Sequence, residues 1–256
     1  MARQETANTL INRTAVEVGV RAVSDPVSSS EEVFVQLTGL LTSVGQELCE
    51  LRAWQVLRQV IDFTVDTASS ATQLGDGVTV GDSGTYLLPA DFCYMIDQTG
   101  WDKTNETPAG GPLSAQIWTY LGASAIGSPT LEIGFRQANN KLDVYPQPVP
   151  DGTNVSFEYI SRNWVQQSGQ TSANTDVISN GSDIVVFEPI LVVKYLKVKF
   201  LEAKGFDASA ARLELDTMFN ARTGRDTGAP ILNAGGRSGY PYINGYRNVG
   251  DTGYGG

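Results

Sequence analysis

The sequence predicts an α+β fold: a helical bundle formed by the N- and C-terminal segments, an inserted antiparallel, β-sandwich-like domain, and an extended C-terminal tail. Three observations predict it. Apolar residues recur at helical spacing near both ends, short strand-like runs separated by Pro and Gly clusters fill the middle, and the C-terminus is rich in Gly and Tyr. The predicted segments are helical residues 1–60, β residues 61–186, helical residues 187–226 and a tail, 227–256.

The N-terminal segment predicts two helices. The first is indicated by apolar and small residues at helical spacing, namely Leu10, Ile11, Thr14, Ala15 and Val18. The second has the clearest periodicity of the chain, at Val33, Phe34, Leu37, Leu40, Leu41, Val44, Leu48 and Leu51. Before it, Ser28 and Ser29 are each followed three residues later by a glutamate, which matches the capping box of a helix start. Residues 54–58 predict a short further helix.

The middle of the chain has the pattern of a β domain. Strand-like runs occur at residues 63–65, 86–88, 92–96, 131–135, 142–145 and 155–159. Three of these runs alternate apolar with polar residues, which is the period of a half-buried strand. The small and polar stretches 68–84 and 166–182 are predicted to be loops. Several short strands with frequent turns favour a sandwich-like domain.

Helical periodicity returns near Glu188-Pro189. A helix can begin at this point because proline is tolerated in the first turn of a helix. One face of this helix is predicted to contain Val192, Val193, Leu196, Phe200 and Ala203. Gly205 is a natural C-cap, and Asp207 is a natural N-cap for a last helix that ends near Gly224. The stripe of that helix contains Ala211, Leu215, Met218 and Phe219. Since short helices need a packing partner, the two helical segments are expected to pack together.

The chain contains no histidine, which excludes Ser-His-Asp and Cys-His catalysis and His-ligated metals. Ser83, in a Gly-Asp-Ser-Gly sequence, matches a protease nucleophile loop, but without a base to activate it we interpret it as a loop tip. Cys49 and Cys93 do not have the spacing of a metal-binding or redox motif, and we interpret them as small core residues. No phosphate-binding glycine motif is present. We therefore expect no enzyme activity, no catalytic residue, no cofactor and no metal.

The net charge is −10 and the sequence pI is near 4.5. No basic DNA-reading motif stands out, and Lys194, Lys197, Lys199 and Lys204 are spread around a helix, as expected of solvated faces. A channel wall past which DNA slides would gain from repelling phosphate. The chain has no apolar run of roughly 20 residues and no apolar signal-peptide core, so we expect synthesis in a cytoplasm and no membrane partner.

Several strings resemble a family of virion proteins of short-tailed bacteriophages and prophages. They are DPVSSS (25–30), QEL (46–48) leading to Trp54, YLLPADF (86–92), DQTGWD (97–102), GPLSAQ (111–116), FEYISRNW (157–164) and LEAKGFD (201–207). The similarity extends from about residue 10 to 222 and leaves the tail outside. This family is identified as the head-to-tail connectors, which are adaptor proteins similar to tail tubular protein A.

The resemblance implies a structural protein that forms a dodecameric ring beneath the portal protein and joins the capsid to the tail nozzle or tail tube. Genomic DNA would pass through the ring without sequence-specific contact. The implied location is the head-tail junction of the virion, after synthesis in the host bacterium. The family's fold combines a helical bundle with a β insertion, and it brings no catalytic residues.

The tail is predicted to dock on the portal or on a neighbouring subunit. It has too few aliphatic residues to fold alone, but its tyrosines, Tyr240, Tyr242, Tyr246 and Tyr254, suit anchoring on another protein. A solvated tail is the alternative.

Two other function classes stay open. Trp101, Trp118 and Trp164 would suit a receptor- or carbohydrate-binding tail protein, although such residues are more often core or subunit contacts. The second class is a carboxylate-dependent cell-wall hydrolase, which stays open because its chemistry needs no histidine.

Overall fold

The computed structural model describes residues 4–123 and 133–226, which form an α+β protein. The described residues contain five helices, α1 (Ala7–Glu17), α2 (Glu32–Leu51), α3 (Ala115–Ala123), α4 (Pro189–Ala203) and α5 (Ser209–Asp226). A 3₁₀ turn, Gln55–Leu57, follows α2, where the sequence predicted a short helix. No described helix is long and apolar enough to cross a membrane.

The described strands form three small sheets. The strands are β1 (Glu5–Thr6), β2 (Arg58–Val65), β3 (Asp76–Val80), β4 (Thr85–Leu87), β5 (Phe92–Met95), β6 (Trp101–Asp102), β7 (Thr107–Pro108), β8 (Gly134–Ala138), β9 (Lys141–Tyr145), β10 (Asn154–Ser161), β11 (Val165–Gln166) and β12 (Ile184–Val185). The first sheet has the strand order β1-β12-β11 and the second has the order β3-β2-β10-β6-β7, with β5 also paired to β10. The third sheet has the order β4-β9-β8.

The described chain divides into two compact units. The helical unit contains residues 4–57 and 161–226, and the β unit contains residues 58–123 and 133–160. The β unit is therefore an insertion in the sequence of the helical unit. It is shorter than the predicted segment 61–186, because β11 and β12 pair with β1, the strand directly before α1. Strands of two residues carry too little pattern to show their partners in advance.

In the helical unit, α4 packs against α1, α2 and α5. Because it has neighbours on several sides, its buried residues are spread around the helix, as expected of an enclosed helix. They include Leu191, Val192, Val193, Leu196, Val198 and Phe200. The single apolar face predicted for α4 is therefore too narrow, and Ala203, placed on that face, is exposed. By contrast, α1 and α2 bury one stripe each, although Leu51, which was predicted to end the α2 stripe, is 56% exposed.

The helix ends test the capping predictions. The predicted capping box of α2 is wrong: the N-cap is Glu31, it makes no side-chain capping bond, and Ser29 Oγ accepts only the Glu31 backbone N–H, at 3.3 Å. Gly205 ends α4 with a φ of +73°, a conformation that favours glycine. Asp207 Oδ1 accepts the Ser209 N–H at 2.9 Å and satisfies an end donor of α5.

In the β unit, residues of two sheets belong to one hydrophobic core. This core includes Ile61, Phe63, Tyr86, Phe135, Leu142, Val144, Val155 and Phe157. β10 pairs antiparallel with β2, and β9 pairs antiparallel with β4 and β8, whereas β2 and β3 run parallel. The connection of residues 66–75 returns the chain to the middle of β2, where Asp76 pairs with Asp62, whereas an antiparallel hairpin needs only a tight turn. The loop predicted for residues 68–84 therefore contains a strand, β3.

Candidate assembly surfaces

The lysines of α4 and of its C-cap lie beside carboxylates of the helical unit. The ion pairs are Lys194 with Glu17 (3.2 Å) and Glu214 (3.1 Å), Lys197 with Glu17 (3.3 Å), Lys199 with Glu47 (2.8 Å) and Lys204 with Glu32 (3.8 Å). The interpretation as solvated faces is therefore incomplete, because each ammonium group is partly covered and has an anionic partner. Since these charges are engaged within the unit, they do not form a stripe for DNA phosphates.

Glu47 links α2 to α4. Its carboxylate accepts hydrogen bonds from the Tyr195 hydroxyl and from Lys199 Nζ. Burial alone would raise the pKa of Glu47, but these hydrogen bonds and the charge of Lys199 outweigh it and hold the pKa below its ordinary value. Burial and the neighbouring carboxylate raise the pKa of Tyr195. At neutral pH an ionised Glu47 thus accepts bonds from a neutral tyrosine and an ammonium group.

Glu47→Gln should destabilise the protein at neutral pH by about 0.5–1 kcal/mol, the scale of a partly exposed ion pair. Because the pKa of Glu47 is lowered in the folded state, its contribution is present above the ordinary carboxyl pKa of about 4.3 and is lost as the pH falls below it. Urea unfolding at pH 7 and at about pH 3.5 measures the difference. Asp216→Asn, at an exposed carboxylate of the same unit, is the control. An equal penalty for Glu47→Gln at both pH values would contradict this account.

The two units differ in charge. The described β unit contains eleven Asp or Glu against four Lys or Arg, and the described helical unit contains fifteen against eleven. Most of the net negative charge therefore belongs to the β unit. Such a surface repels nucleic acid and other acidic surfaces at low ionic strength, so any apolar contact surface of this unit has to avoid its carboxylates.

Ser83 lies exposed at a loop tip, as predicted from its turn-forming neighbours. Its Oγ donates to the Thr85 carbonyl at 3.3 Å and accepts the Thr85 N–H at 3.4 Å. These are local turn contacts within two residues of the chain. Among residues 4–123 and 133–226, no group of three or more His, Cys, Asp or Glu could hold a metal ion.

The tryptophans that motivated a sugar-binding alternative have different environments. Trp164 is fully buried in the helical unit, where it stacks on Phe187 with ring centroids 6.3 Å apart. Trp101 and Trp118, in the β unit, are half-buried. Since a sugar platform needs an accessible ring face, Trp164 cannot serve as one. Its role is core packing.

Sequence reasoning missed helix α3. It has nine residues in the β unit, none of them buried, with Ile117 and Tyr120 among the exposed large apolar residues. The sequence signals that could have identified it are Ser114, whose Oγ accepts the Ile117 N–H at 3.3 Å, and the helical spacing of Ile117, Trp118 and Leu121. No Asp, Glu, Lys or Arg occurs in residues 107–131, the longest uncharged stretch of the chain.

The predicted docking residues Tyr240, Tyr242, Tyr246 and Tyr254 lie outside the described residues, so their docking stays a prediction. No protein-family model matches the chain, and no curated protein is significantly similar to it in sequence. Assignment of a function therefore depends on the sequence strings, the organisation of the two units and the chemistry of their surfaces.

Proposed function

We propose that this chain is a structural virion protein, the ring-shaped head-to-tail adaptor of a short-tailed bacteriophage. In this proposal twelve copies close into a ring between the portal and the tail nozzle or tail tube, and the ring encloses a channel for DNA. The helical unit is a bundle, the β unit is sandwich-like, and the tail tyrosines dock on the portal or on a neighbouring copy. The protein acts by assembly at the head-tail junction and not by catalysis.

The observation that carries the proposal is the organisation of the chain. A helical unit built from both chain ends, interrupted by a β unit at residues 58–160, is the arrangement that the adaptor resemblance implies. The sequence strings that motivate the resemblance occur in both units. A chain of this kind would present two surfaces of different chemistry to two neighbours in the particle.

The charge distribution also supports the proposal. The lysines around α4 are engaged by carboxylates, and the β unit is strongly acidic. A channel wall that binds DNA phosphates tightly would slow the passage of the DNA. An acidic wall instead repels the duplex and permits sliding. Acidity on this scale is therefore compatible with a channel for DNA and unfavourable for a DNA-reading protein.

The test is assembly with the portal encoded in the same genome. Native mass spectrometry and negative-stain microscopy of the 27.5 kDa chain should show a monomer or a small oligomer alone and a closed ring on the portal. A chain that remains monomeric in the presence of assembled portal would contradict the proposal.

A further inference from the structure

Helix α3 presents an apolar face that the described part of the β unit leaves uncovered. Ile117 is 47% exposed and Tyr120 is 65% exposed. These residues are three positions apart, so they project from the same side of the helix. Exposed apolar residues that occur singly need no explanation, but two adjacent ones on a helix without a buried residue form a continuous surface.

The opposite side of α3 is anchored, so this surface is held in a defined position. The Trp118 ring lies under the guanidinium of Arg136, 4.4 Å from its centroid, and meets the Tyr145 ring edge-on at 6.3 Å. Arg136 is itself fixed by Asp143, whose Oδ2 accepts from Nε at 2.9 Å. Ahead of the helix, the Leu113 N–H donates to the Phe135 carbonyl at 2.8 Å. A pre-positioned apolar face loses little conformational entropy on binding.

Charge limits which partner this face can take. It lies within the uncharged residues 107–131 of a chain with a net charge of −10. Neither a nucleic acid nor an anionic lipid surface is recognised by a neutral helix on an acidic unit. Two copies of the chain repel each other wherever their carboxylates meet, so an uncharged surface such as this one lets like-charged copies approach each other without that penalty.

We propose that the α3 face, defined by Ile117 and Tyr120, is a contact between neighbouring copies of this chain. The inference rests on the proposed ring, in which every subunit must present one surface to the next copy. An aromatic residue on a fixed helix is the type of side chain that dominates the energy of such contacts. Because the copies carry like charge, added salt should strengthen their association.

The first experiment replaces Tyr120 by glutamate and, as the matched control, by phenylalanine. Tyr120→Glu places a charge in the contact and should weaken ring formation by at least roughly tenfold, whereas Tyr120→Phe keeps the apolar ring and should assemble like the parent chain. Both variants should keep the parent's thermal unfolding curve, because Tyr120 contributes little to the core. Rings are counted by native mass spectrometry with portal present.

The second experiment identifies the occupant. The photo-crosslinking residue benzoylphenylalanine, placed at position 120 in portal-bound rings, should yield covalent dimers of this chain. Adducts with portal alone, or none in rings that form normally, would overturn the inference. Normal rings from Tyr120→Glu would overturn it too and leave the adaptor proposal intact. Failure of the parent chain to form any ring would overturn both.

Discussion

Replacing Gly45 with alanine should destabilise the helical unit, although alanine is the better helix former. A β-carbon at Gly45 would overlap Cε2 and Cζ2 of Trp164, whose ring lies directly against the α2 backbone. Trp164 is fully buried and stacks on Phe187, so a displaced ring would disturb its neighbours in the core. Overpacking of this kind costs typically 1–3 kcal/mol, which exceeds the gain in helix propensity of about 1 kcal/mol.

Gly39 provides the matched control on the same helix. It is exposed, and a β-carbon there would meet nothing within 4 Å. Gly39→Ala should therefore stabilise the protein by about 0.5–1 kcal/mol, opposite in sign to Gly45→Ala. Urea unfolding followed by tryptophan fluorescence measures both. Equal shifts in the same direction would show that helix propensity, and not the Trp164 contact, determines the effect.

Deleting residues 228–256 should reduce portal attachment by at least roughly tenfold and leave the two units folded. The deletion begins beyond α5, which ends at Asp226, so it removes no described helix or strand. The Gly-rich tail loses conformational entropy when it is ordered, and only burial of Tyr240, Tyr242 and Tyr246 on a partner could offset that loss. Portal pull-down and limited proteolysis, with and without portal, measure attachment and protection.

A full-length variant with these three tyrosines changed to serine separates the anchor residues from tail length. It should bind portal as weakly as the truncated chain, because the tail remains but its apolar rings are gone. If the truncated chain instead builds stable, infectious particles at the normal yield, the docking prediction is wrong and the tail is only a solvated extension.

Short-range patterns in the sequence were sufficient for the elements in which neighbouring residues determine the structure. The apolar spacing of α2, the strand period of β10, the glycine at position 205 and the aspartate at 207 act within one turn or one strand. The half-buried face predicted for β10 is wrong, because its polar position Ser156 is buried as well. Their physical causes, namely burial of one face, left-handed backbone at a helix end and satisfaction of end donors, are readable from local spacing. The same holds for the α+β class.

Tertiary structure decided what depends on residues far apart in the chain. The α4 lysines acquire partners on α1, α2 and α5, and residues 161–186 join the helical unit through β1. The helical period places Gly45 beside the buried stripe of α2 and Gly39 on the opposite side, but only the packed fold shows that Trp164 lies against Gly45. Spacing along the chain does not specify which distant surfaces meet, because many pairings bury similar apolar area. The packed fold selects one of them, and with it the ion pairs, the enclosed α4 and the apolar face left open on α3.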